Sequence, residues 1–456
     1  MNLPGHQRPT FVRALLERSL EIARATPEVF TTLPDAAALG RIREVTHWQD
    51  TPLSALPVTV KDLFDVEGEV TTAGSRVLGP GGVGRAPARR DATAVARLRA
   101  AGATLFGRTN MSEFAFSGVG VNPHFGTPPN PADTRAARIP GGSTSGGAVS
   151  VANGCAWVAL GSDTGGSLRI PAALCGVVGF KSTARLVSGN GAFPLAPSLD
   201  TVGAITRSVR DAALAHQILS GRPAAGDTRP LARLRLAVVR GLLLQDLDDT
   251  VSRAYARALS VLSAGGAQLV EIELPELDEV ATQAAALGTF PAAESHALHR
   301  GWLDAHGALY DPRVLGRIRR GASMLAADYL DLLAWRADWQ RRVGAQLQGF
   351  DAVLSPTVPM VAPPLAQVAP GAERDEAFFR TNGLLLRNPT LVNLLDGCAL
   401  SLPCHRPESG ELPVGLMLWH TALQDDGVLH AAALVENTLR ESALGGLHRG
   451  AIGMQP

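Results

Sequence analysis

The sequence predicts an α/β fold, a β-sheet covered by helices. Three observations carry this. The first half of the chain alternates strand-like and helix-like segments, the pattern of a sheet with helices packed against it. Hydrophobic residues make up 46% of the 456 residues and charged residues 18%, so a sizeable core can be buried. No internal repeat and no linker divides the chain. One large domain is therefore expected, although length alone would allow two or three smaller ones.

The elements follow in order. The segment MNLPGHQRPTFVRALLERSLEIARATPEVF (1–30) lacks the continuous apolar stretch of a signal peptide. It reads as an amphipathic helix with Phe11, Ala14, Leu15, Leu20, Ile22 and Ala23 on one face. LPVTV (56–60) is a short apolar strand. DATAVARLRAAGA (91–103) reads as a helix capped by Asp91 and ended at Gly102. TLFGRTN (104–110) then reads as a buried strand. A tract rich in Gly, Pro and Ser covers roughly 118–147, before another strand, CAWVALGSD (155–163), and the segment TGGSLRIPAALCG (164–176). Residues 208–345 read mostly as helix, with one strand candidate in RLRLAVVRG (233–241). FDAVLSPTVP (350–359) and LPVGLMLWH (412–420) are late strands, and GVLHAAALVENTL (427–439) is a closing helix.

Composition excludes several classes. Formal net charge is zero, which gives no support for nucleic acid or an anionic membrane as partner, because such binding is driven by excess basic charge. No run of about 18 apolar residues is present. The four cysteines, Cys155, Cys175, Cys398 and Cys404, lie in apolar contexts. Free buried thiols in the cytoplasm are the expectation, and no Cys/His spacing suggests zinc.

Lysine usage raises a chemical question. Only Lys61 and Lys181 are lysine; the other forty basic residues are arginine. Arginine stays protonated in any protein environment, whereas a buried lysine can lose its proton and act as a base. Lys61 is thus either a base or a compositional accident.

Two glycine- and serine-rich stretches bear on the answer: PGGSTSGG (140–147) and GSDTGGSLRIP (161–171). Glycine lets backbone N–H groups approach a ligand closely, and successive N–H groups form anion-binding concavities. Neither stretch carries the lysine of a P-loop or the spacing of a dinucleotide-binding turn. In SDTGGS, the N–H groups of Thr164, Gly165 and Gly166 precede Ser167, an arrangement suited to an oxyanion hole with its nucleophile attached. Serine needs a base beside it. No histidine clusters near either stretch, and a G-x-S-x-G elbow is absent. On the residues alone, two tight loops without chemistry remain the other reading.

Taken together and in order, LPVTVKDLFDVEG, GRTNMSEFAF, FGTPPNP, PGGSTSGG, LGSDTGGSLRIPAALCGVVGFK, FPLAPSLDTVGAITRSVRDAA, DAVLSPTVPMVAPP and LPVGLMLW resemble the amidase signature family of serine hydrolases. The resemblance spans about residues 50–440. It implies a single amidase domain over 1–456 with a mixed sheet of about a dozen strands covered by helices on both faces. Its signature core would cover about 50–215, a helical, variable substrate-pocket region about 216–350 and a C-terminal core return about 350–440.

The resemblance further implies cleavage of amides, and in some members esters, ureas or carbamates, without metal or cofactor. It implies a Ser–Ser–Lys triad with Ser167 as nucleophile, Ser143 as the bridging serine after a cis peptide bond at Gly142–Ser143, and Lys61 as base. The oxyanion would rest on the N–H groups of Thr164, Gly165, Gly166 and Ser167. Met111, Ser145, Asp163 and Arg169 would bind substrate or support the loops, with Asp163 and Arg169 paired. Lys61 would have to be neutral at rest, which burial would favour; Lys181 is expected to be structural.

Three positions depart from the family pattern: Leu63 where Asn is usual, Thr144 where a smaller residue is usual, and Ser182 where Pro is common. None removes a triad member. The expected partner is a small-molecule amide, with no nucleic acid and no membrane; a homodimer is expected only by analogy with the family. Competing readings are the glutaminase component of a tRNA-dependent amidotransferase, with Arg380 and Arg387 as candidates for its pocket charges, an allophanate-like urea or carbamate hydrolase, and an inactive binding homologue. Segments 118–130, 190–200 and 270–390 are expected to wall the pocket. Phe114, Phe116, Phe125, Phe193, Phe378 and Phe379 are candidates for an apolar acyl site or for plain core.

Overall fold

A computed structural model describes residues 8–33, 51–223 and 226–452; the first seven residues of the N-terminal segment lie outside these. Among the described residues one mixed sheet holds eleven strands. They are β1 (Phe30–Thr32), β2 (Pro57–Lys61), β3 (Thr104–Thr109), β4 (Val158–Asp163), β5 (Val178–Lys181), β6 (Thr201–Thr206), β7 (Arg235–Arg240), β8 (Gln268–Glu273), β9 (Ala352–Pro356), β10 (Cys398–Pro403) and β11 (Gly415–His420). Their spatial order is β1-β3-β2-β4-β6-β5-β10-β11-β9-β7-β8. The flanking pairs β3–β2–β4 and β9–β7–β8 are parallel, and the centre from β4 to β9 is antiparallel.

Both faces of the sheet are covered, and the two-residue period of the strands assigns each side chain to its layer. In β11, Leu416 and Leu418 join a core closed by Val428, Ala431 and Val435 of the Asp425–Ile452 helix. Met417 and Trp419, between them in sequence, face the opposite core with Val60, Val239 and Trp339. Strands buried on both sides read as nearly continuous apolar runs, which is why β2, β4, β7, β9 and β11 are recognisable in the sequence. The others are not. β5 is four residues long, β6 and β10 carry Gly, Ser or Pro among their apolar residues, and β8 is a half-exposed edge strand.

Two local expectations need correction. Asp91 does not cap the helix, which spans Thr93–Ala100 with Ala92 at the cap position. Asp91 instead accepts the Glu67 N–H at 2.8 Å and pairs with Arg99 at 2.7 Å. The N-terminal helix, Arg8–Ala25, buries Val12, Leu16, Ser19 and Ala23. Phe11 is exposed and Leu15, Leu20 and Ile22 are only half-buried. The i, i+4, i+7, i+11 spacing of the buried set defines a different stripe from the one read from hydrophobicity alone.

Candidate active site

Strands β2 and β4 are parallel neighbours, with Val58 opposite Val158 and Val60 opposite Leu160. Lys61 and Ser162 therefore emerge side by side at their carboxyl ends, where α/β sheets place ligands. Lys61 is completely buried. Its Nζ donates to Ser143 Oγ at 2.7 Å and to Ser162 Oγ at 3.0 Å, and no carboxylate pairs with it among the described residues. Burial pulls its pKa from 10.5 down to about 7, against the opposing charges of Asp163 and Asp200.

Ser143 precedes the helix Ser145–Ala152, and the Gly142–Ser143 peptide is cis. The Thr144 N–H donates to Ser167 O at 3.3 Å, and the Ser112 N–H to Ser143 O at 3.1 Å. The two serine-rich loops are thus tied together above Lys61. Lys61 and Ser143 are bonded directly. Ser167 lies on the loop whose carbonyl the Thr144 N–H meets, and among the described residues no hydrogen bond joins its hydroxyl to that of Ser143. Such contacts commonly tighten only with substrate bound. Thr144 fits because Gly161 leaves room: a Cβ at Gly161 would lie 2.7 Å from the Thr144 Cγ2.

Asp163 frames the loop that carries Ser167. Consecutive side chains of β4 point to opposite faces, so Ser162 reaches Lys61 while Asp163 turns to Arg169. Asp163 accepts from Arg169 Nη2 at 2.9 Å and Nε at 3.0 Å, from the N–H groups of Gly166 and Leu168, and from Asn393 Nδ2. Burial alone would raise the Asp163 pKa; the Arg169 ion pair, the Lys181 charge and Asn393 outweigh it and hold the carboxyl below the usual carboxylate range. Asn393 also accepts from Arg169 at 2.6 Å.

This frame corrects one expected donor. The Gly166 N–H is committed to Asp163 Oδ1 at 2.8 Å; Gly166 sits at φ +122°, where a side chain would collide with Pro389. The N–H groups of Thr164, Gly165 and Ser167 have no intramolecular acceptor among the described residues.

Met111 and Ser145 fall on the supporting side. Met111 is fully buried and its carbonyl accepts from Asn122 at 2.7 Å; Ser145 Oγ donates to Asn110 O at 3.3 Å. Lys181 donates to Ser182 O at 3.0 Å and to Gly397 O at 2.5 Å, joining β5 to the turn before β10. Leu63 is buried. Three participants carry no sequence signal of their own: Ser162, Asn393 and Asp200. Asp200 accepts the Thr164 hydroxyl at 2.6 Å; its pKa is raised by burial.

A cavity of about 280 Å³ opens on Thr164, Gly165 and Ser167. Its walls include Phe116, Leu195, Leu199, Phe290, Trp335 and Leu386, with Arg317 and Arg320. Segments 190–200 and 270–390 supply these walls as expected, but 118–130 does not; residues 115–117 take its place. Of the six phenylalanines, Phe116 lines this cavity and Phe193 lines an adjoining one of about 430 Å³ that reaches Ser162 and Asp200. Phe378 is core beneath Arg313, and Phe379 is exposed. Arg380 and Arg387 line neither cavity: Arg380 is exposed, and Arg387 bonds to Asn388 Oδ1 at 3.0 Å.

The loop 113–117 is held under strain, with Phe114 at φ 49° and Ala115 at φ 59°. Buried Glu113 anchors it by accepting from Ser75 Oγ at 2.7 Å, from the Asp311 N–H at 2.7 Å and through its contact with His124 Nε2 at 2.9 Å. Asp311 in turn caps the Pro312–Arg319 helix.

A wholly buried amine on a serine hydroxyl, at the carboxyl edge of a mixed sheet and beside a second glycine–serine loop, is the setting of a hydrolase rather than of a nucleotide-binding protein. The family model for amidases matches residues 11–429, and the chain belongs to the amidase signature family, hydrolases acting on C–N bonds. The chain is 36% identical over 375 residues to the 2-amino-5-chloromuconic acid deaminase of Comamonas testosteroni, covering 80% of this chain and 78% of that one. It is 35% identical over 457 residues to a glutamyl-tRNA(Gln) amidotransferase subunit of Symbiobacterium thermophilum, covering 91% and 90%. Among solved structures, an amidase aligns with a TM-score of 0.82 at 35% identity over 95% of this chain and 98% of that one. The corresponding amidotransferase subunit from Thermotoga maritima superposes with a TM-score of 0.76 at 27% identity over 95% and 94%.

Proposed function

We propose that the chain is a serine amidohydrolase that cleaves the C–N bond of a small carboxylic amide through an acyl-enzyme on Ser167. The observation that carries this is Lys61, buried, without a carboxylate partner, and 2.7 Å from Ser143 Oγ. With a pKa of about 7, a large fraction of Lys61 is neutral near neutral pH. It accepts the Ser143 proton as Ser143 accepts that of Ser167, and Ser167 attacks the amide carbonyl. The tetrahedral oxyanion rests on the N–H groups of Thr164, Gly165 and Ser167. Collapse sends the proton back through Ser143 to the leaving nitrogen, which departs as ammonia or an amine. Water then hydrolyses the acyl-enzyme by the reverse relay.

The test is covalent. A fluorophosphonate adds one adduct to Ser167, read by intact mass and peptide mapping, and Lys61→Ala abolishes it. A folded protein that takes no adduct overturns the reading.

Likeness to amidotransferase subunits supports a second reading, a glutaminase that works with partner chains. A glutamine pocket needs an acid for the α-ammonium, and the cavity at Ser167 has no carboxylate among its described walls. That favours the stand-alone enzyme. No described helix is long and apolar enough to cross a membrane; the free cysteines, three of them buried, support a reducing compartment such as the cytoplasm.

A further inference from the structure

The residue that offers the Thr164 N–H to an oxyanion is tied down from across the sheet. Strands β4 and β6 are antiparallel neighbours with Asp163 opposite Thr201. Thr164 and Asp200, one step beyond that pair, therefore stand side by side. Asp200 Oδ1 accepts the Thr164 hydroxyl at 2.6 Å. The same carboxylate closes the turn before β6, accepting the Leu195 N–H at 2.9 Å and the Ala196 N–H at 3.2 Å. Two helices hold that turn. Glu294 of Phe290–His299 accepts the Ser198 N–H at 2.9 Å, and Arg336 of Ala326–Gln346 donates to Ser198 O at 3.1 Å.

Asp200 also differs from its neighbours in charge balance. With Ser162 it lines the cavity of about 430 Å³, and Ser162 Oγ accepts from Lys61 at 3.0 Å. Two carboxylates, Asp163 and Asp200, act on the charge of Lys61. Asp163 is already paired with Arg169 at 2.9 Å. Asp200 has no ion-pair partner among the described residues. Arg185 lines the same cavity but pairs with Asp396 at 2.6 Å. Burial raises the Asp200 pKa and the Glu294 charge adds to that, while the bonds from Thr164, Ala196 and Leu195 favour the ionised form. A desolvated anion without a cation is costly. The relay supplies the cation: when Lys61 takes the Ser143 proton it becomes an ammonium. An opposite charge nearby favours that charged form.

We infer that Asp200 is a positioning residue of the reaction. It orients the Thr164 N–H through the Thr164 hydroxyl and supplies the negative charge that the Lys61 ammonium meets during proton transfer. This rests on Lys61 as the base and Ser167 as the nucleophile. A carboxylate that only closed the turn before β6 would leave the Lys61 titration unchanged.

The test uses the scarcity of lysine. The chain has only two, Lys61 and Lys181, so protein grown on isotopically enriched lysine gives two Cε signals by NMR, and Lys61→Met assigns them. The Lys61 signal is expected to titrate at about 7 in the wild type. In Asp200→Asn it is expected to titrate at least roughly half a pH unit lower, because a favourable charge is gone. Labelling of Ser167 by a fluorophosphonate gives the second readout. In Asp200→Asn its acid limb moves down with the Lys61 signal, and its plateau rate falls by roughly 10- to 100-fold, at or below the cost of a lost oxyanion donor. Thr164→Val keeps the carboxylate and cuts the hydroxyl link; its plateau falls by roughly tenfold, and Thr164→Ser restores most of the rate. A Lys61 signal that titrates alike in the wild type and in folded Asp200→Asn would overturn the inference. So would Thr164→Val labelled as fast as the wild type, a result that decides the matter even where Asp200→Asn does not fold. If the wild type takes no fluorophosphonate, the hydrolase reading fails, and the lysine titration still decides whether Asp200 acts on Lys61.

Discussion

Lys61 shows how one side chain couples burial to chemistry. Its neighbours are two serine hydroxyls, which bond equally well to an amine and to an ammonium, so desolvation decides the protonation state. Activity and Ser167 labelling should therefore rise with pH through about 7 as Lys61 loses its proton; a profile flat from pH 6 to 9 would contradict the assignment. Lys61→Arg retains charge and bonding but cannot deprotonate, and should lower kcat/KM by roughly 10³-fold, within the range of general-base removal. Ser143→Ala should cost a similar factor, because it removes the hydroxyl bonded to Lys61 that would pass the proton on to Ser167. A loss of less than tenfold in Ser143→Ala would show that Lys61 reaches Ser167 without it.

The strained loop 113–117 and the Pro312–Arg319 helix form the cavity rim together, and Glu113 is their common anchor. Its carboxylate is almost completely buried and has partners on three segments: Ser75, His124 and Asp311. Burial raises its pKa, with His124 and Ser75 opposing. Glu113→Ala strips an acceptor from buried donors, and should destabilise the protein by about 3 kcal/mol in urea melts, since each abandoned buried partner costs about 1–3 kcal/mol. Glu113→Gln keeps an acceptor oxygen and should cost about half as much. If the two variants melt alike, the anchor acts through charge and not through its hydrogen bonds.

Across the molecule, two buried lysines make stability depend on pH. The folded chain holds the Lys61 proton with a pKa of about 7 against 10.5 in an ordinary environment. Between those values the unfolded chain binds more protons, so this contribution to stability rises with pH from about 7 toward 10.5 and is at its worst below 7. Lys181 acts in the same sense from about 8. Lys61→Met fills the same space without a charge. The stability of the wild type relative to this variant should improve by roughly 3 kcal/mol between pH 6.5 and 9, measured by urea melts at both values. A difference independent of pH would mean that Lys61 is not desolvated.

Much of the site was legible in one dimension because its chemistry is local. A lysine in a chain of arginines, a serine following two glycines, and a second serine loop twenty-four residues earlier are statements about residue type and short spacing. So are the strands buried on both faces, whose apolar runs survive in any context. What the sequence could not decide depends on where distant segments meet. The Gly166 N–H turns to Asp163, and a side chain at Gly166 would meet Pro389 and Ile170. Asn393 closes the Asp163–Arg169 pair from 224 residues beyond Arg169. Edge strand β8 hides in a charged half-exposed pattern. Arg317, one arginine among forty, becomes distinctive only when the fold brings it to a largely apolar cavity with no carboxylate among its described walls. Residue type sets which proton can move; long-range packing sets which charges are left uncompensated, and so what the cavity can recognise.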